Sequence, residues 1–438
     1  MFSEKIKNLI VRLQGRFRSK GSFVTHVITL MTGTALAHGV TVIGIPFLSR
    51  SYSPEHFGIF SIFVGIGSTL SVWAALRYEL AIVLPEKQED AMALVKLSSA
   101  VVFGVAVLIL IIVLLLGSRI VSSFNLPYFD PWLKYLPLSI LLGGLYNVLY
   151  YWCTRNSRFD KISVSRALQS FSTVCSQLAA FALFMAGVGG LIGGYIIGQI
   201  GGVGMLLTQL KGVRFRDPTC SILRTKVATI YSDFPKFSGS GAFFDMAAVQ
   251  IPLVMIPLLF SPHTGGLYAF ADRLLRAPSG LVGMSVSQVL FQRLAASKED
   301  PDGRRSLIFS IWKYMFLLGI GPMLMVFLFG PRIFSFFLGF HWQEAGRYAQ
   351  ILCIGFMAHF IAYPTSLGIV ALGRLDILFA WQVLNLASTV AVFGLGYFFL
   401  RENFYAFLWI WTFKELFVYL LYMFALLKAH SLERIENR

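Results

Sequence analysis

Residues 97–116 read LSSAVVFGVAVLILIIVLLL, with no charged side chain among them. At ~1.5 Å of rise per residue, such a run wound as a helix crosses the ~30 Å hydrocarbon layer of a bilayer. Apolar runs of this kind recur from end to end of the chain. Backbone N–H and C=O groups find no water in lipid, so a crossing segment must satisfy its own hydrogen bonds, and a helix does so. Composition agrees, with 56% hydrophobic and 13% charged residues in 438. Soluble chains carry about 25% charged residues. The sequence therefore specifies an all-α polytopic membrane protein.

We read twelve spans, at 23–49, 57–84, 91–116, 132–153, 162–187 and 189–210, then 237–260, 265–292, 307–329, 346–367, 376–399 and 404–427. Lys and Arg in the loops set orientation. With the N-terminus inside, inner segments (154–166 among them) hold 25 of the 37 basic residues. Outer segments hold six: Arg50, Arg119, Lys134, Arg332, Arg347 and Arg401. Both termini are thus expected in the cytoplasm, and the net charge of +16 reads as a topology signal rather than nucleic-acid binding. Residues 1–22 form a basic amphipathic segment, with Ile6, Leu9, Ile10, Leu13 and Phe17 on one helical face. It suits the inner leaflet and its anionic membrane lipids. No small-residue cleavage site follows the first apolar run, which is too long for a cleaved signal peptide. The expected organisation is a six-helix bundle at 23–210, a cytoplasmic linker at 211–236, a second bundle at 237–427 and a tail at 428–438.

The loops exclude several classes of function. The longest outer one, GSRIVSSFNLPYFDP, is too short to house a soluble domain, and no nucleotide, zinc-protease or nucleophile-elbow motif occurs. Cys153, Cys175, Cys220 and Cys353 show neither disulfide placement nor metal-ligand spacing. No catalytic residue, metal ligand or cofactor is assigned, and the chain is not expected to be an enzyme.

One corner is written twice. IPFLSRSYSPEHFGIF (45–60) and IPLLFSPHTGGLYAF (256–270) each run from an apolar end through Ser-Pro to a Gly and a new apolar start. Aligning Ser53-Pro54 with Ser261-Pro262 sets Gly58 opposite Gly266. Each copy joins the first span of a half to its second, so the two bundles are expected to be parallel, pseudo-symmetric repeats.

The stretch GTALAHGVTVIGIPFLSRSYSPEHFGIFSIFVGIGSTLSVWAALRYELAIVLPEKQEDA resembles the opening of Wzx-type polysaccharide flippases, and YAFADRLLRAPSGLVGMSVSQVLF resembles their eighth span. These belong to the multidrug/oligosaccharidyl-lipid/polysaccharide (MOP) exporter superfamily, with the MATE exporters and the lipid II flippase MurJ. The resemblance implies a MATE- or MurJ-like fold in the bacterial inner membrane. The implied activity is flipping undecaprenyl-diphosphate-linked oligosaccharide to the outer leaflet for O-antigen, capsule or exopolysaccharide. A coupling ion, H+ or Na+, and a polysaccharide polymerase with its chain-length machinery are implied partners. The alternatives are a MATE-like exporter of organic cations, against which span one offers no carboxylate, and a multi-span polymerase or ligase, against which stand the short outer loops.

Charges at bilayer depth are costly and by default face a cavity or a partner. Span eight carries Asp272 and Arg276 one turn apart, the spacing of an intrahelical pair, with Arg273 on an adjacent face. Asp245 lies in span seven, Lys313 in span nine, Lys414 and Glu415 in span twelve, and Arg77 and Glu79 near the inner end of span two. All are cavity candidates, with Arg273, Arg276, Lys313 and Arg77 as groups that would meet a diphosphate. The fork of Arg suits phosphate through parallel hydrogen bonds. The other reading makes structural pairs of Asp272–Arg276, Asp245–Lys313 and Arg77–Glu79. His38 and His359 read as packing or polar contacts, or as a proton relay. Pro46, Pro252, Pro257, Pro278, Pro322 and Pro364 fall within spans and favour kinks.

Overall fold

The computed structural model of the chain describes residues 21–123, 127–185, 187–210, 227–232, 239–283, 286–287, 290, 301–366, 368–371 and 375–436. The basic segment before Gly21, most of the linker, Cys220 and Arg374 lie outside them. Among these residues twelve principal helices follow one another: α1 (Gly21–Ser51), α2 (Pro54–Trp73), α3 (Gln88–Ser123), α4 (Leu136–Arg155), α5 (Phe159–Phe184) and α6 (Val188–Leu207). Then come α7 (Gly239–Leu259), α8 (Pro262–Pro278), α9 (Pro301–Leu338), α10 (Gln343–Ala362), α11 (Leu375–Phe399) and α12 (Phe404–Glu436). Among the described residues, nine helices are long and apolar enough to cross a membrane. α7, α8 and α10 are not among these nine, and α8 carries the arginines of the site described below.

The local causes are legible at the two corners. Ser53 and Ser261 each precede a Pro at the first turn, where a missing N–H costs nothing. The Ser261 hydroxyl accepts from Thr264 N–H at 3.0 Å, and Ser53 N–H donates to His56 Nδ1 at 3.4 Å.

Helices α1–α6 pack mainly on one another, as do α7–α12, and the two sets meet chiefly where α2 lies against α7 and α8. At this meeting the corners interlock reciprocally. Gly58 lies against the Pro262 carbonyl and Gly266 against that of Pro54, so a Cβ on either would collide with backbone. The repeat read from the sequence is thus two faces of one contact. Beside it Phe57, Phe270 and Trp342 pack together, Phe57 edge-on to Phe270 with centroids 4.4 Å apart and Phe270 tilted on Trp342 at 4.0 Å. Trp342 Nε1 donates to the Ser49 carbonyl at 2.8 Å, and Glu55 pairs with His263 across the halves.

Away from the corners the two sides of the molecule differ. α2 and α7 stay together: Ser61 Oγ donates to the Leu253 carbonyl at 2.8 Å, and Trp73 meets Phe243 at 5.7 Å. α1 and α8 touch little, and Leu36, Ile43 and Phe47 of α1 are exposed.

Several expectations need correction. Span two is not continuous to residue 84: α2 ends at Trp73, Leu76 and Arg77 take left-handed backbone, and a short helix follows at Tyr78–Ala81. Arg77 pairs with Glu79 at 3.6 Å; residues two apart point away from each other on a regular helix, so the break lets them meet. Span eight leaves the α-helix at Pro278 and continues as a π-helical turn, Ser279–Gly283. Pro364 lies beyond α10, in the 3-10 turn Tyr363–Thr365. Spans three and nine are much longer than expected, at 36 and 38 residues.

Candidate functional site

The charged residues of α8 stand on a helix that packs on α2, α7 and α10 and touches α1 little. Asp272 is buried, and both its oxygens accept from Arg276 Nε, at 2.9 and 3.0 Å. The guanidinium also lies 4.8 Å from the Phe356 ring centre, a favourable site for a cation. Glu415 and Tyr419 of α12 lie in electrostatic range of Arg276. Asp272 and Arg276 thus form a tied pair, with the carboxylate on Nε rather than on the terminal nitrogens.

Arg273, on the neighbouring face, is different. Its side chain is exposed, and no carboxylate pairs with it among the described residues. Opposite it stands His38 of α1, in electrostatic range of Arg273 and of Arg166.

Other candidates fall elsewhere. Lys414 Nζ donates to Asn385 Oδ1 at 2.7 Å, Thr389 Oγ1 at 2.9 Å and Glu415 Oε1 at 2.9 Å. An ammonium has three hydrogens, so none is left for a ligand; Lys414 ties α12 to α11. Asp245 is half-buried near Tyr363 and Tyr419, and no ion pair joins it to Lys313. Lys313 shares an exposed stripe of α9 with Phe309, Phe316, Leu317 and Ile320, where its chain can reach towards the interface. Arg77 and Glu79 form their own pair beside Tyr151. His359 is buried, with Ser279 Oγ 3.4 Å from its Nδ1. The site therefore gathers Asp272, Arg273, Arg276 and Glu415 and leaves Lys313, Arg77 and Glu79 outside it.

A residue absent from the sequence-based candidates joins this group. Arg166, counted there with a loop, lies two turns inside α5; Nη1 donates to Thr34 Oγ1 of α1 at 2.7 Å, and the guanidinium lies 5.4 Å from the Tyr150 ring centre. The signal was available: a helix starting at Phe159 puts residue 166 well above its first turn.

A family model described as "Polysaccharide biosynthesis protein" matches residues 47–347. The chain belongs to the polysaccharide biosynthesis protein family. The match takes in Arg77, Arg166, Asp245, Asp272, Arg273, Arg276 and Lys313 and leaves Lys414 and Glu415 outside. No curated protein matches the chain by sequence. Among solved structures, this family member superposes on an inward-facing MATE multidrug transporter of the MOP superfamily with a TM-score of 0.66 at 13% identity, over 92% of this chain and 96% of that one. The lipid II flippase MurJ, inward closed, also gives 0.66, at 14% identity over 94% and 91%. A MOP transporter from Pyrococcus furiosus gives 0.56 at 11% identity, over 93% and 96%. At these identities the likeness shows a shared fold, that of the MOP exporters, and agrees with the Wzx-type resemblance read from the sequence.

Proposed function

We propose that this protein is a flippase for undecaprenyl-diphosphate-linked oligosaccharide, moving it from the inner to the outer leaflet of the bacterial cytoplasmic membrane by alternating access. The observation that carries the reading is Arg273: an exposed cation on α8, with no carboxylate partner among the described residues, in a polysaccharide biosynthesis family member. An anionic headgroup supplies the charge it lacks, while the polyprenyl tail stays in lipid through the sparse contact between α1 and α8. Arg276, held by Asp272, adds its terminal nitrogens to the same wall.

In this reading all twelve helices cross the membrane as two six-helix bundles, 23–210 and 237–427, joined by the linker at 211–236, with both termini cytoplasmic. The interlocked corners then lie on the outer side, so the state described is sealed outside. No bond is made or broken. Asp245 supports a second reading, a cation-coupled exporter, because it is a half-buried carboxylate without a cation partner among the described residues. Under the flippase reading, the same carboxylate would serve a coupling H+ or Na+.

The test is deletion of the protein followed by mass analysis of lipid-linked sugars. The flippase reading expects undecaprenyl-diphosphate oligosaccharide to accumulate on the inner face; unchanged sugars with lost resistance to organic cations would favour the exporter. For orientation, a reporter fused within 211–236 should score cytoplasmic and one at Ser261–Gly266 external. The opposite pattern would invert the site.

A further inference from the structure

Within the linker, residues 227–232 are seated on the first half. Val227 is 1% exposed and belongs to the buried apolar core, and Tyr231 packs against that core. Residues 227–230 make a helical turn, closed by Tyr231 N–H donating to the Val227 carbonyl at 3.0 Å. The Ala228 carbonyl accepts from the Tyr78 hydroxyl at 3.3 Å. Tyr78 owes its place to the break that follows α2. Leu76 and Arg77 take left-handed backbone with no glycine to ease it, a conformation that brings Cβ too close to the next carbonyl. Arg77 Nε and Glu79 Oε2 are buried without a hydrogen-bond partner. Such costs persist only where the surroundings over-determine the local path. Arg155 of α4 supplies that constraint: its Nη1 donates to the Ile82 carbonyl at 3.2 Å and its Nη2 to the Glu86 carbonyl at 3.4 Å. Tyr78 lies between the strained Arg77 and the buried Glu79, so the break fixes the hydroxyl that meets the linker.

Seating the linker changes how far it can reach. From Leu210 to Gly239 there are 28 intervening residues, about 100 Å at full stretch. With 227–232 seated, only residues 233–238 remain before Gly239, about 25 Å at full stretch. Packed helices stand ~8–10 Å apart, so the short connection runs taut after about 15 Å of parting, whereas the long one restrains nothing. Resting on the alternating access of the flippase reading, we propose that residues 227–232 are an anchor that turns the linker into a short strap, and that the strap limits how far α7 parts from α2 on the linker side. Tyr78 is the positioning residue for the anchor. The width of the linker-side opening, and so the bulk of the headgroup it admits, is then set by six residues rather than 28.

Spin labels at Glu89 of α3 and Ser306 of α9, both exposed at linker-side helix starts of opposite halves, test the strap. Their distance distribution is measured in the full-length protein in nanodiscs, with the native cysteines replaced. A six-residue Gly-Ser insertion between Pro235 and Lys236 adds up to ~20 Å of reach and should move the long edge of the distribution outwards by about 5 Å or more. The same insertion between Val213 and Arg214 lies before the anchor and should leave the distribution unchanged. Val227→Asp should unseat the anchor and reproduce the first insertion, and Tyr78→Phe should shift the edge less, in the same direction. If Val227→Asp does not fold, the two insertions decide between themselves. Equal shifts from both insertions would overturn the strap, because a linker free along its whole length does not distinguish them. No shift from either would overturn it too, since the connection would never run taut. These distances are read without substrate, so a failure of lipid-linked sugar to accumulate on deletion would overturn the flippase reading separately.

Discussion

α2 and α8 begin at the same corner and are put to opposite uses. Carrying the corner alignment down both helices sets Val64, Gly65 and Ser68 of α2 opposite Asp272, Arg273 and Arg276 of α8. On α2 the position matching Arg273 is a glycine, and a Cβ there would stand 2.6 Å from a Val254 methyl group. That helix is trimmed to lie close on α7. On α8 the same position carries the longest cationic side chain, and α1 stands off. A repeated backbone path can thus serve as a closed seam in one half and as a lined gap in the other. The side chains decide which.

The largest effect is expected from Arg276→Ala. It strands the buried Asp272 carboxylate, and breaking such a pair costs about 3–5 kcal/mol. Asp272→Ala together with Arg276→Ala should regain most of that stability. If thermal unfolding showed the double variant no more stable than the single one, the pair would not be the tie on the α8 side. Restored transport in the double variant would further show that Arg276 is dispensable for the substrate.

Next come the matched positions. Gly65→Leu overpacks the seam and should cost about 1–3 kcal/mol. Arg273→Leu faces open space and should stay within about 0.5 kcal/mol of the native protein, yet abolish export of lipid-linked sugar. Equal destabilisation by both would erase the contrast between seam and gap. At the corner, Gly266→Ala pushes a methyl group into the Pro54 carbonyl, and a loss of about 1–3 kcal/mol is expected there too. A silent substitution would mean that the corners are not locked together.

The smallest effect belongs to the Glu55–His263 pair, whose side chains are about half exposed. Exposed pairs contribute ~0–1 kcal/mol, so Glu55→Gln should hardly move the melting temperature. A large shift would make this pair, rather than the glycine contact, the lock at the corner.

Much of this fold could be read from residue order. The apolar runs place helices, because length and the absence of charge suffice to define a crossing segment. The doubled Ser-Pro corner was visible because its Pro and Gly sit where backbones touch, and Asp272–Arg276 because a one-turn spacing forces proximity. What escaped is what depends on partners. Arg166 looked like a loop charge because helix starts are soft signals and its ligand Thr34 is far away in sequence. The break at Leu76–Arg77 has no glycine or proline to announce it. Lys313 and Lys414 looked alike at similar depth, yet one lies on an exposed stripe and the other spends every hydrogen on neighbours.

The continuous contact of α2 with α7, set against the parting of α1 from α8, gives the molecule a back and a front. Under the flippase reading, viewed down the membrane normal, it is a book bound at one edge. Its surroundings would then be unequal around the compass: lipid behind α2 and α7 would meet packed helices, while lipid in front would meet the side where α1 and α8 touch little. Any machinery that hands over a membrane-bound cargo, or takes it away, has one bearing from which to approach.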